Sequence, residues 1–62
     1  MPIFKIVVLG TRRNKGKASD FKEVINLTAA NLRAATEWAL GICKYEGVED
    51  LSIEKAQQIN QQ

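Results

Sequence analysis

Hydrophobic and polar positions divide the first half of this chain into three segments with different periods. Residues 4–9 (FKIVVL) are apolar on both alternating faces and end at Gly10, which is typical of a central β-strand. Residues 11–19 are polar, show no apolar period and predict a loop. Residues 21–27 alternate again, so we expect a second strand, antiparallel to the first.

A helical period follows the second strand. Asn31, with Thr28 as the alternative, can cap the helix by accepting a hydrogen bond from a free N–H of the first turn. Gly47 suits the position just past the helix end, where a positive φ is needed. Trp38 is expected to pack between helix and sheet, with a partner contact as the alternative. The stripe predicted to be buried comprises Leu32, Ala35, Trp38, Ala39, Ile42 and Cys43.

The C-terminal segment fits two structures. Residues 51–55 alternate like a strand, whereas residues 52–59 could form a short helix. We favour the strand, because three strands can cover one helix and two hardly can. Residues 60–62 should fray. The sequence thus predicts one α+β domain over residues 1–62, a ββαβ chain whose antiparallel three-stranded sheet has the order 3-1-2 and packs on one helix.

Length and composition limit how this domain can be stabilised. A chain of 62 residues makes one small domain, and such a domain buries only about 60% of the surface of its unfolded chain. Cys43 is the only cysteine and there is no histidine, so we expect no disulfide within the chain, no metal site and no cofactor. A core this small makes a homodimer possible.

The same features bear on location. One unpaired cysteine favours a reducing compartment. The longest apolar run, residues 6–9, is far shorter than the ~20 residues that a membrane-spanning helix needs. We therefore expect a cytoplasmic protein with no membrane partner.

Charge is concentrated in the predicted loop. Four cations stand within residues 11–17: Arg12, Arg13, Lys15 and Lys17. The rest of the chain has five basic and seven acidic residues, although the whole chain carries a net charge of +2. The pattern predicts a positive tip on a mildly acidic body, and these four residues are the candidate partner-binding site.

The loop resembles a phosphate-binding loop only superficially. Residues 4–19 read FKIVVLGTRRNKGKAS, but five residues separate Gly10 from Gly16 where the motif has four. Ala18 stands where a hydroxyl should bind magnesium, and Ser19 comes one place late. The next segment also alternates as a strand, where the motif requires a helix. We therefore interpret the segment as a strand that runs into a basic loop.

No arrangement of residues indicates catalysis. Cys43 lies on the predicted apolar stripe, and no histidine is present to activate it. Glu46, Glu49 and Asp50 lack the alternating ligands and the glycine of a calcium loop, so they are interpreted as a solvated turn. We expect a protein that is not an enzyme.

Two kinds of partner fit the four loop cations. An acidic protein surface is favoured, because arginines can form bidentate hydrogen bonds with carboxylates. Clustered positive charge also speeds the diffusional encounter with such a surface. Nucleic acid is the alternative, disfavoured because the loop holds no aromatic residue to stack on bases. The predicted helix also has only Arg33 and Lys44 as cations on its polar face, too few for a recognition helix.

Two segments and the order of elements resemble a known class of proteins. KIVVLG at residues 5–10 and NLRAATEWAL at residues 31–40, in a ββαβ chain, are similar to small phage-encoded host-takeover proteins of the inhibitor and antitoxin type. The resemblance implies a small protein that binds and inhibits a larger host machine.

Overall fold

The computed structural model describes residues 2–59, which form an α+β domain with the predicted ββαβ order. The elements are strand β1 (Ile3–Asn14), strand β2 (Lys17–Thr28), helix α1 (Leu32–Tyr45) and strand β3 (Glu49–Gln58). The preference for a C-terminal strand over a helix is confirmed, although β3 is longer than residues 51–55. The expected fraying of residues 60–62 lies outside the described residues.

The three strands form one antiparallel sheet with β1 in the centre. Numbered from the β2 edge, the order is 2-1-3, whereas the prediction of 3-1-2 numbers the strands from the other edge. β1 and β2 pair without a break from Ile3↔Thr28 to Asn14↔Lys17. The pairing of β1 with β3 shifts register twice, between Val7 and Val8 and between Leu9 and Thr11. The sheet therefore has one regular edge strand and one bulged edge strand.

The predicted loop over residues 11–19 is wrong. Both strands continue through it and are joined by only two residues, Lys15 and Gly16. Lys15 has φ 54° and Gly16 has φ 81°, as a type I′ turn requires, and this turn matches the twist of the paired strands. The loop was predicted because its side chains are polar. These side chains are exposed because they lie beyond the helix, where a strand needs no apolar face.

Helix α1 covers one face of the sheet. It begins after Asn31, whose Oδ1 accepts a 2.8 Å hydrogen bond from the N–H of Ala34, so the preferred cap is confirmed and Thr28 belongs to β2. Gly47 follows the helix with φ 89°. Small side chains let the helix approach the sheet closely. The buried core consists of Phe4, Ile6, Val8, Ala29, Ala35, Ala39, Cys43 and Val48.

The connection from α1 to β3 passes very close to β1. A Cβ atom added at Gly10 would lie 2.5 Å from Cγ1 of Val48 and 2.9 Å from the carbonyl oxygen of Glu49. The absence of a side chain at Gly10 therefore provides the space in which Val48 is buried.

Within residues 2–59, no helix or further strand covers the other face of the sheet. β1 places Ile3, Val7 and Leu9 there, since these alternate with its core residues. Lys22 of β2 reaches Glu54 of β3 across this face, with 3.3 Å between Nζ and Oε1. We call this surface the open face. In the part of the chain that the structure describes, no helix is long and apolar enough to span a membrane.

Candidate binding surface

The end of the β1–β2 hairpin projects beyond the rest of the molecule. We call residues 11–20 the basic arm. The helix ends at Tyr45, and β3 begins at Glu49, opposite Thr11, so neither element accompanies the hairpin to its turn. Residues 12–20 are all exposed, and the molecule is 45 Å long but only 16 by 12 Å in cross-section. The basic arm is thus a two-stranded ribbon with water on both faces.

Arg12 lies on the face of the arm that continues the helix side of the sheet. Its guanidinium carbon is 5.2 Å from the centre of the Phe21 ring, within the range of a cation–π contact. Its Nη2 atom is 3.9 Å from Oε1 of Glu46, just past the helix end. Both partners of this ion pair are half-exposed, so the pair adds little stability. Its effect is to position the guanidinium at the base of the arm.

Arg13 lies on the opposite face, because neighbouring residues of a strand alternate. Its Nε atom donates a 3.1 Å hydrogen bond to Oε1 of Glu49. Arg12 and Arg13 are therefore both paired with carboxylates of this chain and point away from each other. They are not placed to grip one anionic group together.

Lys15 and Lys17 occupy the turn and the start of β2. Within residues 2–59, neither lysine forms an ion pair. Of the four predicted site residues, these two carry the uncompensated charge. The structure brings all four cations onto one arm, with two neutralised at the base and two free at the tip.

A second surface, which sequence reasoning missed, lies on the flank of α1. Trp38 is 59% exposed and Tyr45 is 94% exposed, so the prediction that Trp38 packs between helix and sheet is wrong. The buried stripe of α1 is Ala35, Ala39 and Cys43. Trp38 is about 100° around the helix from Ala39, and the buried stripe is too narrow to include it.

These aromatic side chains border a shallow cleft of about 340 Å³ that is largely open to solvent. We call it the helix cleft; it is lined by Trp38, Gly41, Ile42, Tyr45 and Glu46. Positions 38, 41, 42 and 45 share one side of a helix, because they differ by three, four and seven. A Cβ atom at Gly41 would meet nothing within 4 Å, so the missing side chain keeps the cleft open. Glycine between two aromatic residues at this spacing is the signal that could have revealed it.

Glu46 connects the two surfaces. Its carboxylate pairs with Arg12 at the base of the arm, and the residue also lines the helix cleft. The basic arm and the helix cleft are thus neighbours, and we call them together the arm–cleft surface. It combines free cations, a positioned Arg12–Glu46 pair and exposed aromatic rings.

The thiol of Cys43 lies in the core beneath this region. Cys43 is buried, and burial, followed by the nearby charges of Glu23 and Glu46, raises the pKa of its thiol. A thiol with a raised pKa and no access to solvent is a poor nucleophile. No group of three or more His, Cys, Asp or Glu side chains that could hold a metal ion occurs among the described residues. The segment after Gly16 is a strand, so the helix that a phosphate loop requires is missing there.

Comparisons of the chain with protein-family models, with curated proteins and with solved structures found no match.

Proposed function

We propose that this protein is a small non-enzymatic binding protein that docks on a larger protein through the arm–cleft surface and modulates or inhibits it. The observation that carries the proposal is the position of two free lysines at the end of a projecting arm, beside a cleft with exposed aromatic walls. The resemblance to phage host-takeover proteins implies the same class of function and a host protein as the partner.

The composition of the surface indicates what the partner presents. Among the described residues, Lys15 and Lys17 have no carboxylate partner and would attract acidic side chains. Trp38 and Tyr45 offer apolar area with little conformational entropy to lose, and tryptophan and tyrosine dominate the energetics of many interfaces. The matching partner is an acidic protein surface that also places one apolar side chain in the helix cleft.

The carboxylates near the basic arm favour a protein partner over a nucleic-acid partner. Carboxylates of Asp20, Glu46, Glu49 and Asp50 stand on the arm or at its base. They equal the four cations of the arm in number, so a nucleic-acid backbone lying along the arm would meet repulsion as well as attraction. A protein partner can touch the tip and the cleft without bringing negative charge to the base.

Capture from host lysate with matched variants tests this proposal. The wild type is compared with Lys15→Ala/Lys17→Ala, with Trp38→Ala and with Lys44→Ala/Lys55→Ala. The last variant removes the same charge from positions outside the surface. We expect one captured protein to be lost with each of the first two variants and retained with the control. Equal capture by all four proteins, or equal loss with both lysine pairs, would refute the site.

Single-stranded nucleic acid is the second candidate, because the structure adds what the sequence of the loop lacked. Trp38 and Tyr45 are exposed rings on which bases could stack, and stacking beside cations is the usual mode of single-strand binding. A two-stranded ribbon is also narrow enough to enter the major groove of duplex DNA.

Filter binding to labelled DNA and RNA at two salt concentrations separates the candidates. Docking through nucleic-acid phosphates would give an affinity that falls with salt, by a log–log slope of about 1.5 to 3.5 for two to four phosphate contacts. Binding with this slope that is lost in Lys15→Ala/Lys17→Ala would replace the protein-partner proposal.

A further inference from the structure

Strand β2 has an entire edge without a partner in the described chain. It pairs with β1 alone. The N–H of Ala29 donates a 3.3 Å hydrogen bond to the carbonyl of Pro2, which shows which alternate residues of β2 bond to β1. Bonding residues alternate along an antiparallel ladder. The odd-numbered residues of β2 therefore bond to β1. The residues that turn N–H and C=O groups outward include Asp20, Lys22, Val24, Asn26 and Thr28.

The two edges of the sheet differ in their capacity to accept another strand. β3 is interrupted by two register shifts, and Asp50 beside one of them has φ 54°. Bulges of this kind twist an edge and hinder pairing with another chain. β2 makes twelve consecutive pairs without irregularity, and it contains neither proline nor glycine. Of the two edges, only β2 offers a regular template.

The side chains of β2 are also incompletely covered. Val24 is 50% exposed, whereas Val7, directly opposite on β1, is 5% exposed. On the helix side, Phe21, Ile25 and Leu27 are only partly buried against the core, since α1 lies mainly over β1 and β3. An added strand beside β2 would extend apolar cover on both faces of the sheet.

We propose that the occupant of this edge is a second copy of the same chain, paired antiparallel to β2 about a two-fold axis at Val24. Val24 then faces the second copy's Val24, Lys22 faces Asn26, and Asp20 faces Thr28. On the helix side, Phe21 faces Leu27 and Glu23 faces Ile25. In this register all five outward-turned residues find backbone partners, and no two like charges stand opposite each other.

Neighbouring registers are worse for identifiable reasons. A two-fold axis at Glu23 sets two carboxylates opposite each other, and one at Lys22 sets two ammonium groups opposite each other. An axis at Phe21 runs the partner strand along the basic arm and places Asn26 and Thr28 beyond the start of the partner's β2. An axis at Ile25 brings no like charges together, but it places Asp20 opposite Ala30, past the end of the partner's β2. Charge and strand length thus select Val24.

The resulting dimer has one continuous six-stranded sheet. Because the axis is perpendicular to the sheet, both helices lie on the same face and the two basic arms point in opposite directions. Asp20, the last residue of the basic arm, is paired in this register, but residues 11–19 stay outside the paired region. Each copy therefore keeps all four cations of its arm free. The inference does not depend on which partner the arm–cleft surface binds.

Sedimentation velocity with charge variants at the axis tests the proposal. The wild type should show a monomer–dimer equilibrium in a concentration series up to about 1 mM. Val24→Lys and Val24→Glu each set like charges at the axis, and each should weaken dimerisation at least about tenfold. An equimolar mixture of the two variants should recover the dimer, because lysine then faces glutamate.

Two controls distinguish pairing at this edge from other effects. Ser52→Lys adds a lysine to the other edge strand and should leave the equilibrium unchanged, as should Lys15→Ala/Lys17→Ala. Circular dichroism and thermal melts show whether each variant is folded. Hydrogen exchange followed by NMR should show that the outward amides of β2, at Lys22, Val24 and Asn26, become slower to exchange as concentration rises.

Several results would overturn the proposal. A wild-type monomer at about 1 mM, a dimer indifferent to both Val24 variants, or a variant mixture that stays monomeric would each exclude the two-fold axis at Val24. Dissociation caused by Ser52→Lys alone would assign the interface to β3.

Discussion

The same substitution, glycine to alanine, should have opposite effects at two positions of this protein. At Gly10 the new methyl group would lie 2.5 Å from Cγ1 of Val48 and 2.9 Å from the carbonyl oxygen of Glu49. Carbon atoms pack at about 3.5–4.0 Å, so the overlap with Val48 is about 1 Å. Val48 is buried and the second contact is backbone, so neither can move without disturbing the start of β3.

The magnitude follows from two opposing terms. Overpacking of this kind destabilises the folded protein by about 1–3 kcal/mol. Replacing glycine also lowers the conformational entropy of the unfolded chain, which stabilises the folded protein by about 0.4–1 kcal/mol. A net loss of about 1–2 kcal/mol is large for a domain whose core supplies about 3–5 kcal/mol. At about 4–8 °C per kcal/mol, Tm should fall by about 4–16 °C.

Gly41 is the matched control. It lies in the middle of α1, and a Cβ atom there meets nothing within 4 Å. Alanine is the better helix former by about 0.8–1 kcal/mol, so Gly41→Ala should raise Tm. The same methyl group enters the helix cleft, so we expect it to weaken partner binding while the fold becomes more stable.

Thermal and urea unfolding followed by circular dichroism measure both variants against the wild type. The reasoning about the close approach would be refuted if Gly10→Ala were as stable as the wild type, or if both variants shifted in the same direction. If the stabilised Gly41→Ala variant captured the partner as well as the wild type does, the helix cleft would not be part of the binding site.

Three further predictions concern the turn, the helix start and the buried thiol. Lys15→Asn should stabilise by about 0.5–1 kcal/mol, because asparagine tolerates the positive φ of a type I′ turn; Lys15→Ala, which also removes the charge, should give no such gain in urea unfolding. Asn31→Ala should lower stability by about 1 kcal/mol by leaving the N–H of Ala34 without its acceptor, whereas Asn31→Ser should retain most of it. Burial raises the pKa of Cys43, so the unfolded chain ionises first and stability should fall as pH rises above the ordinary thiol value of 9.0. Urea midpoints measured at several pH values for the wild type and for Cys43→Ala isolate this contribution. If the midpoints of the two proteins fell with pH at the same slope, the contribution of Cys43 would be disproved.

The class of fold follows from local patterns in the sequence. Residues 4–9 are apolar on both faces, which marks the central strand, and Asn31 marks the start of the helix. These signals depend on backbone periodicity and on hydrogen bonds between neighbours in the chain, so one sequence is enough to find them. The four cations of the arm were also identifiable, because clustering of charge is a property of the sequence.

Tertiary structure decided how far each element extends and which side chains are free. Residues 11–19 looked like a loop because they are polar, but pairing between backbones continues β1 and β2 to the turn whatever the side chains are. Arg12 and Arg13 are adjacent in sequence, yet carboxylates 34 and 36 positions away bind them on opposite faces of the arm. Exposure of Trp38 depends on how closely α1 approaches the sheet, and small side chains along the buried stripe set that distance. Such contacts join residues far apart in the chain, so no local pattern of the sequence specifies them.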